Sequence, residues 1–233
     1  MKIALLGYGK MGKVIENIAL QRGHSIVLKK TIHTPFDGLE QADIAIDFSV
    51  PTAAVENIVT CFDRNIPVIS GTTGWLEHYT DVEKKCLATN GSFIYSSNFS
   101  LGVNLFFQLN ENLAKIMHRF TNYKVALEEI HHTQKLDAPS GTAISLATQI
   151  IENSEYQNWG LNSNNPNEIP IIAKRIENVP GTHSICYTSN VDEIEIKHTA
   201  FNREGFALGA VIAAEWLVGK KGIFTMKDVL EIN

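Results

Sequence analysis

Between Glu129 and Ala143 the chain reads Glu-Ile-His-His-Thr-Gln-Lys-Leu-Asp-Ala-Pro-Ser-Gly-Thr-Ala, so two imidazoles, an amine and a carboxylate fall between His131 and Asp137. Histidine is the side chain whose ordinary pKa lies near neutrality, which suits it to exchanging a proton. Lys135 offers a positive charge or a proton of its own. Pro139 and Gly141 then break the strand. Ser140 stands where a helix N-cap belongs, ahead of Ala143, Ala147, Ile150 and Ile151 at helical spacing. The first N–H groups of a helix have no intrahelical partner and can hold an anion. A solvated loop with a capped helix needs no such combination. These residues predict a site that binds a carboxylate and moves a proton beside it.

A second motif is Gly7-Tyr8-Gly9-Lys10-Met11-Gly12. It follows an apolar run over residues 2–6 and opens a helix whose apolar face carries Met11, Val14, Ile15, Ile18 and Ala19. A second strand follows from Ser25 to Lys29. In that context a GxGxxG predicts a dinucleotide site: Gly7 for the tight turn, Gly9 for approach of the pyrophosphate, Gly12 for helix–strand packing. The acid that usually holds a ribose hydroxyl after the second strand is missing. Leu28-Lys29-Lys30-Thr31-Ile32-His33 has no acid before Asp37, and its two lysines would suit a 2′-phosphate. Gly71-Thr72-Thr73-Gly74, after a strand over Pro67 to Ser70, leaves room for a nicotinamide ribose and offers hydroxyls and N–H groups.

The elements that must position these motifs alternate. A third strand (Asp43 to Ser49), a helix from Pro51 to about Asp63, the fourth strand, a helix from Leu76 to Ala88 and a strand from Ser92 to Tyr95 predict a doubly wound sheet. The pattern then changes. A long helix runs from Gly102 to Arg119, and a strand bearing Val125, Leu127 and Ile130 leads into the site and its helix. Tyr156 to Glu168, rich in Asn, Ser, Gly and Pro, reads as a loop. Strands follow at Ile171 to Glu177, His183 to Thr188 and Glu193 to Ala200. Their hairpin-length gaps predict an antiparallel or mixed sheet. Phe206 to Val218 reads as a helix returning to the first domain, and Thr225-Met226-Lys227-Asp228 as a capping box. The expected fold is α/β: a dinucleotide-binding domain at 1–98 plus 206–233, and a second, α+β domain on a mixed sheet at 99–205.

A chain of 233 residues, 44% hydrophobic, suits one or two domains with a substantial core. The mild net charge of −5 comes without a basic run, which argues against nucleic acid, and no apolar stretch reaches the ~20 residues that span a membrane. Cys61, Cys86 and Cys186 are few and far apart, implying a reduced, cytoplasmic protein with neither disulfides nor a metal centre.

Taken with Ser97-Asn98-Phe99-Ser100-Leu101-Gly102-Val103-Asn104, Arg175 with Pro180-Gly181 and His183, Arg203 with Phe206 and Gly209-Ala210, and Met226 to Leu230, the motifs resemble the dihydrodipicolinate reductase family of lysine and diaminopimelate biosynthesis over essentially the whole chain. The resemblance implies a Rossmann domain completed by the C-terminal segment, NADH or NADPH as cofactor, a cyclic dicarboxylate substrate and a homotetramer built on the second domain's sheet. It implies His131 as proton donor or acceptor and Lys135 as the proton-donating acid. His132, Gly141 and Thr142 match substrate-binding positions. Gly7, Tyr8, Gly9, Lys10, Met11, Gly12, Gly71, Thr72, Thr73, Ser96, Ser97, Asn98 and Phe99 match cofactor contacts. A semialdehyde dehydrogenase would need a cysteine in the site stretch, and a non-catalytic sensor would be free to lose His131, His132 and Lys135; neither departure is present.

Overall fold

Short apolar runs alternating with amphipathic helices form β1 (Lys2–Leu6), α1 (Lys10–Gln21), β2 (Ser25–Lys30), β3 (Ile44–Asp47), α2 (Pro51–Asp63), β4 (Val68–Ser70), α3 (Tyr79–Ala88) and β5 (Ser92–Tyr95). The chain continues as α4 (Leu101–Met117), β6 (Lys124–His131), α5 (Gly141–Glu152), β7 (Asn158–Leu161), β8 (Glu168–Arg175), β9 (Gly181–Thr188), β10 (Glu193–Ala200), α6 (Glu204–Leu217), β11 (Gly222–Phe224) and α7 (Met226–Val229). This computed structural model describes residues 1–202 and 204–232. Arg203, one of the residues carrying the resemblance, and Asn233, the end of the expected first domain, lie outside the described residues. Two compact units result, Met1–Asn104 with Glu204–Asn233, and Leu105–Arg203.

The first unit is a six-stranded sheet in the order β11-β5-β4-β3-β1-β2, with every neighbouring pair parallel. Both faces are covered, which is why its strands are apolar throughout rather than alternating. Ile3, Leu5, Ile44, Ile46, Ile69 and Ile94 pack toward α1 and α6, while Ala4, Leu6, Ala45, Val68 and Phe93 pack toward α2 and α3. Small residues let α6 lie close: a Cβ at Gly209 would stand 1.7 Å from the Phe99 carbonyl oxygen. The strand order reverses between β1 and β3, the place where doubly wound sheets bind ligands beyond the strands' carboxyl ends. Strand β11 was absent from the expectations; its three residues are specified by parallel pairing with β5, from Gly222 beside Ser92 to Phe224 beside Ile94. The expected helix start at Leu76 is a 3₁₀ turn over Leu76–His78 that leads into α3. The capping box at Thr225 and Asp228 forms as its spacing implies.

The second unit holds a five-stranded mixed sheet ordered β10-β9-β6-β8-β7. Its centre, β6, runs parallel to β8 and antiparallel to β9. Helices α4 and α5 supply Phe106, Ala114, Met117, Ala143, Leu146, Ala147 and Ile150 to a core with Val125, Leu127, Ile169, Ile171, Ile185 and Tyr187. Buried Asn110 joins the helices by donating from Nδ2 to the Leu146 carbonyl (3.0 Å) and to Gln149 Oε1 (2.9 Å). The loop expected over Tyr156 to Glu168 is corrected: it contains β7, an edge strand whose polar sequence gives no alternation and whose pairing with β8 fixes it.

Candidate active site

Strand β6 alternates, and its inward face carries Val125, Leu127, Glu129 and His131 in that order. The apolar half of that face joins the core; the polar half lies at the strand end that leads to α5. Ile130 points to the other face. Glu129 is fully buried. Its Oε2 accepts the Ser140 N–H (3.0 Å), and its Oε1 accepts from both terminal nitrogens of Arg175 (3.3 and 3.2 Å). His131 Nδ1 stands 3.5 Å from Oε2 without forming a hydrogen bond, and His183, directly opposite Glu129 on β9, places Nε2 3.8 Å from the same oxygen. Ser140 Oγ meets His183 Nε2 at 3.1 Å and accepts the Ala143 N–H at 3.2 Å, so the N-cap expected there is formed. Burial pushes the His131 imidazole below its ordinary pKa, with the Lys135 and Arg175 charges adding and Glu129 opposing. Burial, then His131, pushes His183 down to about 4.

Lys135 follows on the loop from β6 to α5. Its Nζ donates to both carboxylate oxygens of Asp137 (2.9 and 2.8 Å), which holds the Asp137 carboxyl below the usual range. The N–H groups of Ser140 and Ala143 are occupied, leaving those of Gly141 and Thr142 at the open start of α5. A Cβ at Gly141 would meet nothing within 4 Å. His132 is half-buried with Nδ1 buried and unpartnered. The stretch thus brings His131, His132, Lys135, Gly141 and Thr142 together around one strand-to-helix junction.

In the first unit, Gly7 turns with φ +102°, and a Cβ there would stand 2.2 Å from the Phe48 carbonyl oxygen. Gly9 is the N-cap of α1 and faces open space. A cavity of about 340 Å³ lies over this turn, lined by Gly7, Tyr8 and Gly9 from the β1–α1 turn, Lys30 to His33, Phe48 to Val50, Ala53 and Asn57. A second, of about 380 Å³, adjoins Lys10, Met11, Gly71, Thr72 and Thr73. A Cβ at Gly71 would lie 2.3 Å from the Phe48 ring, which would have to move to admit a side chain. The Thr72 hydroxyl is not free for a ligand: it donates to Asp47 (2.7 Å) and accepts the Ser49 N–H (2.8 Å). Buried Asp47 also accepts from Ser70 (2.8 Å) and Asn57 (2.9 Å), and burial raises its pKa against those bonds. Lys29 pairs with Glu16 at 2.5 Å, whereas Lys30 is buried in the cavity wall with Nζ over the Phe36 ring. Ser96 and Asn98 brace their own loop, Ser96 Oγ donating to the Asn98 carbonyl (2.8 Å) and Asn98 Oδ1 accepting the Ser100 N–H (2.9 Å). Phe99 belongs to the core.

The residue pattern alone did not disclose Glu129, Asp47 or Asn57. Asn57, 1% exposed, lines the cavity, and its Oδ1 is buried without a partner. A turn crowded at Gly7, open space over Gly9 and an open helix start fit a nicotinamide dinucleotide.

Residues 27–99 match the family model described as "Dihydrodipicolinate reductase, N-terminus", and residues 102–230 the one described as "Dihydrodipicolinate reductase, C-terminus". The chain is 58% identical over 233 residues to a 4-hydroxy-tetrahydrodipicolinate reductase of Christiangramia forsetii, covering 99% of this chain and 98% of the relative. It is 36% identical over 217 residues to the reductase of that name from Methanoregula boonei, covering 91% and 83%. The structure of a dipicolinate-bound dihydrodipicolinate reductase from Paenisporosarcina sp. TG-14 superposes with a TM-score of 0.76 at 21% identity, covering 97% of both chains.

Proposed function

The chain belongs to the dihydrodipicolinate reductase family, and on that premise we propose how its residues divide the work of an NAD(P)H-dependent oxidoreductase. The protein reduces the cyclic imine derived from 4-hydroxy-tetrahydrodipicolinate to tetrahydrodipicolinate in lysine and diaminopimelate biosynthesis. We assign dinucleotide binding to the first unit, at Gly7–Gly12, Gly71–Thr73 and Ser96–Phe99. Lys30 in the cavity wall supports acceptance of NADPH at least as well as NADH; Lys29, already paired with Glu16, contributes less. Kinetics of the wild type, Lys29→Ala and Lys30→Ala with both cofactors test this, and a strong NADH preference unaffected by either substitution would reject it.

When bound, the nicotinamide supplies the hydride. The remaining chemistry belongs to the second unit. The free N–H groups of Gly141 and Thr142, with the α5 dipole behind them, hold one substrate carboxylate, and His132 contacts the ligand beside it. Lys135 Nζ protonates the ring nitrogen. His131, whose depressed pKa leaves it neutral near pH 7, accepts or relays a proton next to it. The observation that carries this division is the junction itself, where the strand bearing His131 and the loop bearing Lys135 lead into the open start of α5. We further propose a cytoplasmic homotetramer; no described helix is long and apolar enough to cross a membrane. The deciding experiment follows NAD(P)H absorbance with the cyclic imine. Turnover by the wild type supports the reading, and cofactor binding without turnover would overturn it.

A further inference from the structure

Arg175, at the end of β8 and paired in register with His131, divides its donors among the Glu129 carboxylate, two carbonyls of the following loop and the neighbouring Lys174 carbonyl (2.9 Å). Both terminal nitrogens reach the buried Glu129 carboxylate, while Nη2 donates to the Asp137 carbonyl (2.6 Å) and Nε to the Lys135 carbonyl (3.3 Å). Among the described residues, these are the hydrogen bonds that tie residues 133–138 to the sheet; the others there stay within the loop, such as Lys135 N–H to the His132 carbonyl. A fully buried carboxylate is strongly unfavourable unless paired and hydrogen-bonded. Glu129, His131 and His183 have ligand atoms within 4.8 Å of one another, close enough to ring a divalent cation. The Arg175 guanidinium on Glu129 Oε1 supplies a counter-charge. An ammonium could balance that charge, but only a planar fork reaches one carboxylate and two carbonyls together.

We propose that Arg175 is a positioning residue for the proton donor: anchored on Glu129, it holds the carbonyls of Lys135 and Asp137 and so sets where the Lys135 ammonium is presented. The inference rests on Lys135 being that donor. Glu129 is the anchor of the same device, since it also fixes Ser140 and with it the start of α5. One residue pair thereby spaces the proton donor against the carboxylate-binding helix end.

The test is a double-mutant cycle of Arg175→Lys and Lys135→Ala, with saturating cyclic imine, cofactor affinity measured separately and the folded state checked by circular dichroism. Misplacing a reacting group by about 1 Å can cost about 10²-fold, and a kcat loss of about that size with unchanged NAD(P)H affinity is expected for Arg175→Lys. In the Lys135→Ala background the same change should alter kcat by less than about 2-fold, because groups acting through one another are not additive. Independent, multiplying losses would overturn the positioning role, as would an Arg175→Lys enzyme with wild-type kcat. Wild-type kcat in Lys135→Ala alone would instead reject the donor assignment on which the inference stands. Should Arg175→Lys not fold, Arg175→Gln takes its place in the same cycle.

Discussion

The Lys135–Asp137 pair is the contact the proposed reaction must break. Asp137 keeps 59% of its side chain exposed, and such pairs contribute about 1 kcal/mol or less, so the ammonium can turn to a substrate at little cost. Lys135→Ala is expected to lower kcat by the ~10²–10⁴-fold typical of a general acid, with cofactor affinity by fluorescence unchanged. Near-wild-type turnover would remove Lys135 from the mechanism. His183 makes a different prediction. Its imidazole falls from 6.5 unfolded to about 4 folded, so between those values the unfolded chain binds a proton that the native state refuses. Stability is therefore complete above pH 6.5, declines as the pH falls toward about 4 and levels off below it. Between pH 7 and pH 5 the loss from this residue is about 2 kcal/mol, and His131 acts in the same direction. Urea unfolding at the two values should show the drop, and His183→Gln, which retains a partner for Ser140, should remove most of it. An equal drop in that variant would refute the assignment.

At the scale of elements, α6 depends on its approach to the chain at Phe99. Gly209→Ala is expected to cost at least the ~1–3 kcal/mol of an overpacked site, because the obstacle is a backbone carbonyl and cannot rotate away. An unchanged denaturant midpoint would contradict this packing. Elements with strong period or punctuation were readable in advance: the β1–α1 turn from its glycines, α5 from Ser140 and its apolar stripe, α7 from its capping box. Strands β7 and β11 were not. Asn-Trp-Gly-Leu and Gly-Ile-Phe carry almost no pattern, and partners distant in sequence decide their state. The site divided in the same way. Its titratable residues announced themselves by type and spacing, but a buried acid is spelled like a solvated one. Glu129 and Asp47 acquire their roles only when neighbouring strands bring Arg175, His183, Ser70 and Thr72 to them.

At the scale of the molecule, helices α4 and α5 cover one face of the second unit's sheet, and the opposite face carries Ala126, Ile130 and Ile172 with no helix of that unit, among the described residues, on it. This face supports the proposed tetramer; light scattering at micromolar concentration should give the mass of a tetramer, and a stable, active monomer would contradict it. The route of the chain has a further consequence. Strand β11 completes the first unit's sheet and α6 roofs one of its faces, yet both are made after all of the second unit. On a translating ribosome, five of the six strands exist with Ile3, Leu5, Ile46 and Ile94 covered by α1 but not yet by α6, while the intervening unit, continuous in sequence, is free to fold. Ribosome-stalled chains ending before α6 should therefore hold a protease-resistant second unit behind a protease-sensitive N-terminal half. Resistance of both halves at that length would show that the late helix is not needed to close the early sheet.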